Sequence, residues 1–532
     1  MQWFHDSRRG ISVYPRSDVL LTAIPEARVL RSSHNGSLVA VPHTLRNAQV
    51  LRHYQYPIPP IISGYDWPRP PGTEPYESQK VTANFLVTHP RCFLLSDMGV
   101  GKTNAALWAA DWLMRQHPPG TFRCLIVAPL SILQTVWANA IFKNFLSHRK
   151  VEILHGDAER RLKALARPAD FYVVNPDGVG VGARTGKGIT LDGFSKQLAE
   201  RSDIRLAIVD EASNYKDAQT KRHRIARLVF GRKDYLWLMT GTPVPNAPTD
   251  AYGLAKLVNN AWGKSFTTFR FETMYKLTEF KWIPQKDGYD KARRLLSPSI
   301  RYDISEVWDA PPTTTQVREV QLTPQQTKLL AGLKRDLQIE IKGQQISAIN
   351  EASARLKFMQ IAAGAVYDSA HTAHAVDAEP RLSEIETVIE ETTRKVVIFA
   401  GLTSVIDLLY KRLSKRWPCI IINGAVSPKE RAHALGEFGR DGGPRIALCD
   451  PAATAHGIND LVTADTCIWC TPIDKTELYL QGIKRLVRPG QKFPTTIVQI
   501  VSTKLEREIF RRLEHNEAMQ GALLEAIERG DW

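Results

Sequence analysis

CFLLSDMGVGKTNAALWAADWLMRQH, residues 92–117, is the stretch of sequence that decides the fold. It begins with a short apolar run typical of a buried strand, passes through a glycine-containing loop, and ends with helical apolar spacing. Gly99 and Gly101 let backbone amides turn inward around phosphates, and the helix N-terminus adds partial positive charge. Lys102 can then reach the β- and γ-phosphates, and Thr103 can ligate Mg²⁺. The stretch predicts a nucleotide phosphate site, with an ordinary glycine-rich turn as the alternative.

The same succession of strand, loop and helix repeats over residues 73–255 and again over 381–510. Short, unalternating apolar runs with branched or aromatic residues are typical of buried parallel strands. The runs are CFLLS (92–96), CLIVAP (124–129), FYVVN (171–175), LAIVDE (206–211), YLWLMTG (235–241), KVVIFAG (395–401), CIIING (419–424), RIALCD (445–450), TCIWCT (466–471) and TTIVQIVS (495–502). Helical spacing between them indicates right-handed crossovers. We therefore predict an α/β fold with two doubly wound parallel-sheet lobes.

The segments outside these two lobes have different patterns. Residues 1–72 predict a small accessory domain that ends in the proline-rich linker YPIPPIISGYDWPRPPG (56–72), because clustered prolines favour extended backbone. Residues 256–380 predict a mainly helical insertion and linker. Residues 511–532 predict a C-terminal helix.

Composition narrows the class of partner. Among 532 residues, 70 are Lys or Arg and 55 are Asp or Glu, which leaves a net charge of +15 and favours a polyanionic partner. The longest uncharged apolar run, Val396 to Ile406, is too short to span a membrane. Six scattered cysteines indicate a reducing compartment, and Cys467 and Cys470 form one CxxC in a strand, which favours a core role over zinc. We expect a soluble protein in the cytoplasm of a bacterial or phage-infected cell, or in the nucleus of a eukaryote.

Two carboxylates, Asp210 and Glu211, end the apolar run LAIVDE. Open α/β sheets place ligands at the carboxyl ends of their strands. With a phosphate loop nearby, one carboxylate can complete a Mg²⁺ site and the other can orient the attacking water. A charged pair that caps a strand at the surface is the alternative.

Seven segments, in this order along the chain, resemble the motif series of superfamily two helicases, and TGTP-x-x-N with QxxxRxxRxGQ resembles the Swi/Snf-type branch in particular. They are PYESQ (75–79), DMGVGKT (97–103), VAPLSIL (127–133), DEAS (210–213), TGTPVPN (240–246), AHGIND (455–460) and QGIKRLVRPGQ (481–491). The resemblance covers residues 73 to 510. It implies two RecA-like lobes, ATP and Mg²⁺ as cofactors, and ATP hydrolysis.

The resemblance assigns roles around the nucleotide. Gln79 matches the glutamine that recognises adenine, with a surface side chain as the alternative. Asp210 matches the Mg²⁺ carboxylate together with Thr103, and Glu211 matches the catalytic base, beside the catalytic Lys102. Two catalytic arginines, Arg485 and Arg488, match the paired arginines of the second lobe. Arg488 is the better candidate for a finger on the γ-phosphate, and a solvated basic helix is the alternative.

Further residues match segments that link nucleotide state to the grip on nucleic acid. The coupling set is Thr240, Gly241, Thr242 and Gln481, and a hairpin turn is the alternative for the first three. Gly457 matches a nucleotide contact and Asn459 a backbone contact in the second lobe. The sequence departs from the family where DEAS replaces DEAH and where His456 stands in place of a glycine.

Nucleic-acid contacts are expected from loop ends and from basic side chains. The loop residues are Pro129, Ser131, Asn175 and Asn459, which would hold phosphates rather than read bases. Basic clusters at 221–233, 291–294 and 411–416 could line a duplex groove or could be solvated helix faces. Both interpretations stay open.

The predicted function is that of an ATPase motor, stimulated by nucleic acid, that translocates on double-stranded DNA. The resembling branch generally tracks along duplex DNA without separating it, and several members remodel junctions or displace proteins. Forks or junctions are therefore possible substrates, and the accessory domain could recognise them or could act as a stabilising cap. The alternatives are a strand-separating DNA or RNA helicase and an ATP-binding clamp without turnover. RNA is the less favoured partner.

Overall fold

A computed structural model of the chain describes residues 3–6, 9–30, 38–186, 188–245, 247–277, 282–343, 348–367, 372–454 and 460–515. The chain divides into two compact units, one ending at Val307 and the other beginning at Trp308. Among the described residues, no helix is long and apolar enough to cross a membrane.

The strands and helices of the first unit alternate along most of its length. Its strands are β1 (Phe4–Asp6), β2 (Ile11–Pro15), β3 (Arg28–Leu30), β4 (Leu38–Pro42), β5 (Arg91–Leu94), β6 (Arg123–Val127), β7 (Val151–Leu154), β8 (Phe171–Val174), β9 (Arg184–Thr185), β10 (Ile189–Thr190), β11 (Ile204–Val209), β12 (Tyr235–Met239), β13 (Met274–Lys276), β14 (Trp282–Pro284) and β15 (Ser299–Ile300). Its helices are α1 (Asp18–Ala23), α2 (Leu45–His53), α3 (Glu77–Thr88), α4 (Lys102–Arg115), α5 (Asn139–Phe145), α6 (Ala158–Ala166), α7 (Gly193–Glu200), α8 (Lys221–Phe230), α9 (Ala251–Val258), α10 (Phe266–Thr273) and α11 (Gly288–Leu295).

A parallel sheet with the strand order β15-β5-β12-β11-β6-β8-β7 forms the centre of this unit. Side chains alternate along each strand, so β11 sends Ala207 and Val209 into the core on one face and Leu206 and Ile208 into the core on the other. Burial on both faces explains why these runs are continuously apolar. Residues before α3 form a separate antiparallel sheet with the order β1-β2-β4-β3 and its own small core.

The second unit repeats the design with a parallel sheet in the order β16-β23-β22-β19-β21-β20. Its strands are β16 (Thr313–Glu319), β17 (Ala365–Tyr367), β18 (Ala373–Ala375), β19 (Lys395–Phe399), β20 (Cys419–Ile422), β21 (Ile446–Cys449), β22 (Ala464–Trp469) and β23 (Thr495–Val501). Its helices are α12 (Pro324–Gly343), α13 (Ala348–Ala363), α14 (Glu379–Glu391), α15 (Thr403–Leu413), α16 (Pro428–Gly439), α17 (Pro451–Thr454), α18 (Thr476–Leu486) and α19 (Lys504–Glu514). Cys467 and Cys470 are both fully buried, in the cores on opposite faces of this sheet.

The predicted fold class is confirmed, because each apolar run quoted from the sequence contains a strand of one of the two parallel sheets. The segment 256–380, predicted as one helical insertion, is shared between the two units. Its first part includes α10, α11 and β15, which joins the sheet of the first unit, and its second part includes β16, which joins the sheet of the second. The C-terminal part of the predicted terminal helix, from residue 516, lies outside the described residues.

Candidate nucleotide site and its surroundings

The predicted phosphate loop lies between β5 and α4, at the carboxyl edge of the first sheet. Gly99 has φ +90° and Gly101 has φ +79°, a left-handed conformation that glycine adopts without steric cost. Gly101 is the N-cap of α4, so Lys102 and Thr103 open the first turn of the helix. The backbone therefore has the form that wraps an anion at a helix N-terminus.

Lys102 folds back over this loop. Its Nζ donates hydrogen bonds to the carbonyl oxygens of Ser96 (2.7 Å) and Asp97 (2.8 Å). Ser96, which stands where a strict P-loop has glycine, accepts a hydrogen bond at Oγ from the backbone N–H of Tyr302 (3.0 Å). The N–H of Asp97 donates to the carbonyl of Tyr302 (3.0 Å). The chain that follows β15 thus fixes the start of the loop.

Gln79 lies against the same loop. It is buried near the start of α3, where its Oε1 accepts from the backbone N–H of Tyr76 (2.9 Å). Its Nε2 donates to the carbonyl of Gly101 (3.3 Å). Gln79 and Lys102 line the same small depression, together with Ser78, Thr82, Leu94, Ser96, Val100, Ala105 and Tyr302. The structure therefore places the predicted adenine and phosphate residues side by side.

Asp210 and Glu211 follow β11, two strands away from β5 at the same edge. One oxygen of Asp210 accepts from the N–H of Glu211 (3.0 Å), and the other accepts from the indole Nε1 of Trp137 (3.0 Å). Glu211 has φ +48°, a left-handed conformation that is uncommon for a residue with a side chain and that often marks functional sites. The Thr103 hydroxyl and the Asp210 carboxylate are hard oxygen donors, so this edge fits Mg²⁺.

The coupling segment Thr240–Thr242 follows β12, the strand between β5 and β11. Thr240 is buried and its Oγ1 accepts from the N–H of Thr242 (3.1 Å). A Cβ built on Gly241 would lie 3.6 Å from the backbone nitrogen of Met98 and 3.7 Å from the carbonyl of Ser96. The segment therefore packs directly against the phosphate loop.

The loop ends predicted to touch nucleic acid lie at this same edge, after β6 and β8. Pro129 and Ser131 flank Leu130, whose side chain is exposed. Asn175 has a structural contact, because its Oδ1 accepts from the guanidinium of the buried Arg161 (3.3 Å). Beside it lies a groove of about 550 Å³ lined by Pro176, Asp177, Gly180, Asn214, Thr220, Lys221, Arg222 and Ile225.

The basic cluster at 221–233 divides between two environments. Lys221 and Arg222 line the groove at the start of α8, where Arg222 also pairs with Asp177 (2.7 Å). Lys233 is buried at the other end, where its Nζ donates to the carbonyls of Leu198 (3.0 Å), Ala199 and Arg201, and burial lowers the pKa of Lys233 to about 8. The cluster therefore combines groove-lining cations with a structural one.

The clusters at 291–294 and 411–416 pair with carboxylates of their own units. Lys291 lies 2.9 Å from Asp287, and Arg412 binds both Glu379 (2.6 Å) and Glu386 (2.7 Å). These contacts favour the solvated-face interpretation for both clusters.

The predicted residues of the second unit lie on α18 and the turn after it. Gln481 is buried and donates to Glu477 (3.2 Å), and Arg485 is also buried. Arg488 is partly buried, and burial lowers the pKa of its guanidinium, an effect that the charge of Asp460 partly offsets. The remaining predicted residues of this unit, Gly457 and Asn459, lie outside the described residues, as does His456.

Two contacts of the site were not predicted from the sequence. Trp137 lies 73 positions before its partner Asp210, and Tyr302 lies 206 positions after Ser96. Both partners carry ordinary helix or strand-end patterns in the sequence, so no local signal identifies them. The one rule that could have indicated these contacts is that the loops at one edge of a parallel sheet lie close together.

Two parallel-sheet α/β units, the first with a phosphate loop that opens a helix, define the core of a P-loop ATPase of the helicase type. The chain matches the SNF2-related domain over residues 22–364, and it belongs to that family of ATPase domains. The resemblance to the Swi/Snf-type branch is thereby confirmed.

Individual relatives are distant in sequence. The chain is 24% identical to the protein p41 of Acyrthosiphon pisum secondary endosymbiont phage 1, across 86% of this chain and 99% of p41. It is 23% identical to the DNA repair and recombination protein RAD54-like of Gallus gallus, across 84% of this chain and 66% of that protein. A solved structure of the Sulfolobus solfataricus SWI2/SNF2 ATPase core in complex with dsDNA matches 87% of this chain and 95% of its own, with 19% identity and a TM-score of 0.40.

Proposed function

We propose that this chain is a DNA-stimulated ATPase that translocates along double-stranded DNA without separating the strands, with forks or junctions among its substrates. The proposal rests on the segments that lie together at the carboxyl edge of the first parallel sheet. The phosphate loop at 97–103, the carboxylates Asp210 and Glu211, and the segment 240–242 all follow strands of the same parallel sheet. A groove lined by Lys221, Arg222 and Asp177 lies at this edge as well, and Arg222 pairs there with Asp177. The proposed nucleotide site and the proposed polyanion site would thus share their supporting strands.

ATP would bind with its phosphates in the loop and its adenine near Gln79. Lys102 would exchange the carbonyls of Ser96 and Asp97 for phosphate oxygens, which are the stronger acceptors because they are charged. Thr103 and Asp210 would hold Mg²⁺, which neutralises charge on the phosphates when it is bound. Glu211 would orient and deprotonate the attacking water.

Arg485 and Arg488 are the proposed arginines for the γ-phosphate. A guanidinium at the equatorial oxygens can contribute about 10³ to 10⁵ in rate. Substitution of Arg488 by alanine should therefore lower kcat strongly while nucleotide affinity changes much less.

Duplex DNA is the proposed partner for two reasons. Net charge of +15 and the cations of the groove favour a polyanion, and contacts to phosphates alone suit a motor that moves along any sequence. The RAD54-like relative is by name a DNA repair and recombination protein, which favours DNA over RNA.

The hydrolysis part of the proposal is tested with Lys102→Ala and Glu211→Gln. Glu211→Gln should lower kcat by about 10²- to 10⁴-fold because the general base is lost, and Lys102→Ala should abolish hydrolysis by removing the phosphate ligand. DNA affinity should survive in both variants. Lys163→Ala and Glu159→Gln on α6, whose side chains are highly exposed, are matched controls that should hydrolyse ATP at the wild-type rate. Full activity in Glu211→Gln would remove Glu211 from its proposed role.

The DNA part is tested by comparing the stimulation of ATPase activity by duplex DNA, single strands and RNA. A triplex-displacement assay beside a forked-strand assay then separates tracking from unwinding. We expect stimulation by duplex and displacement of the third strand without unwinding. Unwinding of the fork would support the helicase alternative, and turnover that responds to no nucleic acid would exclude the translocase.

The groove is tested through the salt dependence of DNA binding. Each lost phosphate contact should reduce the slope of log K against log salt by about 0.9. Lys221→Ala and Arg222→Ala should each show this reduction. Arg293→Ala on α11, an exposed arginine near Asp290, is the control that should leave the slope unchanged.

A further inference from the structure

A buried tryptophan holds the carboxylate that is proposed to bind Mg²⁺. Trp137 is fully buried, and its indole N–H donates to Oδ2 of Asp210 at 3.0 Å. The other oxygen of that carboxylate accepts the N–H of Glu211 at 3.0 Å. Two donors from different elements therefore restrict rotation of the carboxylate. Groups behind a metal ligand that fix its orientation in this way typically change metal affinity or activity by about 10- to 100-fold when they are removed.

Trp137 lies in an unusual stretch of backbone. The chain forms a 3₁₀ turn at Leu130–Ile132, then a π-helical turn at Leu133–Ala138, and then α5. A π-helical turn is rare and is frequently found at functional sites. Here the turn contains the buried Trp137 and begins three residues after Leu130, which is 53% exposed. The backbone thus leads from a surface loop to the carboxylate within eight residues.

The same stretch makes a second contact with the site. Asn144 on α5 is buried, and its Nδ2 donates to Oδ1 of Asn104 at 3.0 Å. Asn104 directly follows Thr103 in the first turn of α4. We call residues 129–145 the bridging segment, because it contacts both the carboxylate side and the helix side of the nucleotide site.

We propose that Trp137 is a positioning residue for Asp210, and that the bridging segment transmits occupancy of the loop at 130–131 by DNA to the metal carboxylate. The second half rests on the proposed function, since it needs DNA at that loop. The first half does not, because the hydrogen bond exists in the protein alone. A shift of the 3₁₀ turn would turn the π-helical stretch with it and change the angle at which the indole meets Asp210.

The test is Trp137→Phe, which keeps an aromatic ring and removes the N–H donor. Binding of fluorescent mant-ADP is measured against Mg²⁺ concentration, and again in EDTA. We expect the half-saturating Mg²⁺ concentration to rise by about 10- to 100-fold, with no change of affinity in EDTA. The stimulation of kcat by duplex DNA should fall as well.

Trp237→Phe is the matched control. Trp237 is also fully buried in this sheet, on β12, but its indole N–H donates to the carbonyl of His89 (3.2 Å), ahead of β5 at the amino edge. It should bind mant-ADP with the Mg²⁺ dependence of the wild type. An equal change in both variants would mean that loss of packing, and not loss of the donor, is responsible.

Asn144→Leu is a second test that can be used if Trp137→Phe does not fold. It removes the hydrogen bond from Asn144 to Asn104 and leaves the indole of Trp137 in place. It should weaken mant-ADP binding and reduce DNA stimulation. Wild-type Mg²⁺ dependence in a folded Trp137→Phe would overturn the positioning role, as would wild-type behaviour of Asn144→Leu for the bridging role. A wild type that no DNA stimulates would overturn the proposed function, and the Mg²⁺ titration of Trp137→Phe would still decide the role of Trp137.

Discussion

Replacement of Gly101 by alanine should displace Gln79 from the phosphate loop. Gly101 has φ +79°, and a Cβ at this position would lie 1.9 Å from Nε2 and 2.9 Å from Cδ of Gln79. No rotation within the amide removes an overlap with Cδ, so the side chain has to leave. It then gives up the hydrogen bonds to Tyr76 N–H (2.9 Å) and to the Gly101 carbonyl (3.3 Å).

The free-energy cost of Gly101→Ala has two parts, and the same substitution at Gly72 distinguishes them. A left-handed conformation costs an alanine about 1–2 kcal/mol. Loss of two neutral hydrogen bonds adds about 1–3 kcal/mol. Gly72 has φ +78° with no atom within 4 Å of the added Cβ, so Gly72→Ala has the backbone cost alone. Gly101→Ala should therefore destabilise its surroundings by about 2–5 kcal/mol and Gly72→Ala by about 1–2 kcal/mol.

Hydrogen exchange of peptides from α3 and α4 measures the local part of this cost, and mant-ADP and mant-ATP binding measures its consequence. We expect faster exchange at the start of both helices in Gly101→Ala, together with at least a tenfold loss of nucleotide affinity, which corresponds to about 1.4 kcal/mol. Gly72→Ala should bind nucleotide like the wild type. Equal exchange rates and equal affinities in the two variants would refute the argument that Gln79 is held by this contact.

Two further predictions concern the second unit. Arg381 is buried and pairs with the buried Glu506 (2.7 Å), so Arg381→Met should remove the charge opposite that carboxylate and destabilise the unit by about 3–5 kcal/mol. The double variant with Glu506→Leu should recover only part of that loss, because the carboxylate also accepts the N–H of Ser502 (2.7 Å). A double-mutant cycle followed by hydrogen exchange of β22 and β23 measures both effects. Hydrogen bonds from Arg511 and Arg512 lower the pKa of Glu508 to about 2 from its ordinary value of 4.5, so the folded state binds fewer protons than the unfolded state between these values. The stabilising contribution of ionised Glu508 is complete above pH 4.5 and is lost as the pH falls towards 2. The free energy of unfolding in urea should therefore decline less steeply between pH 5 and pH 3 in Glu508→Gln than in the wild type. An equal decline in the two proteins would contradict this prediction.

The sequence predicted the inner strands and the edge strand β20, but it missed the edge strands β7, β15 and β16, for a physical reason. A strand such as β12 is buried on both faces, so its run YLWLM is apolar throughout and can be recognised alone. β16 is an edge strand of sequence TTTQVRE whose residues are almost all exposed, and it reads as a polar linker. β7, an edge strand of the first sheet, is only partly buried. Pairing with one neighbour fixes such strands, and pairing partners are distant in sequence.

The same distinction between local patterns and distant partners applies to the residues of the site. Residues such as Gly101 and Lys102 belong to one local pattern of strand, loop and helix, so their placement can be predicted from the sequence alone. Ser96 departs from that pattern, and the reason lies in a distant residue, Tyr302, whose N–H binds its hydroxyl. The hydrogen bond from Trp137 to Asp210 likewise depends on a π-helical turn, which the spacing of apolar residues does not predict.

The proline-rich segment at 56–72 contacts the helix of the phosphate site, which its composition does not indicate. Clustered prolines predict a stiff linker, but the chain here turns at residues 61–64 and packs along α4. The Tyr65 hydroxyl donates to Asp111 (2.6 Å), and the Trp108 indole donates to the carbonyl of Pro68 (2.7 Å). Asp111 is 1% exposed and also pairs with two arginine side chains, so loss of the segment would leave buried charge without one of its donors. Burial and the neighbouring carboxylate of Asp111 raise the pKa of Tyr65, which keeps its hydroxyl a donor throughout the physiological range. The accessory sheet is therefore joined by a hydrogen-bonded segment to the helix that begins at the phosphate loop.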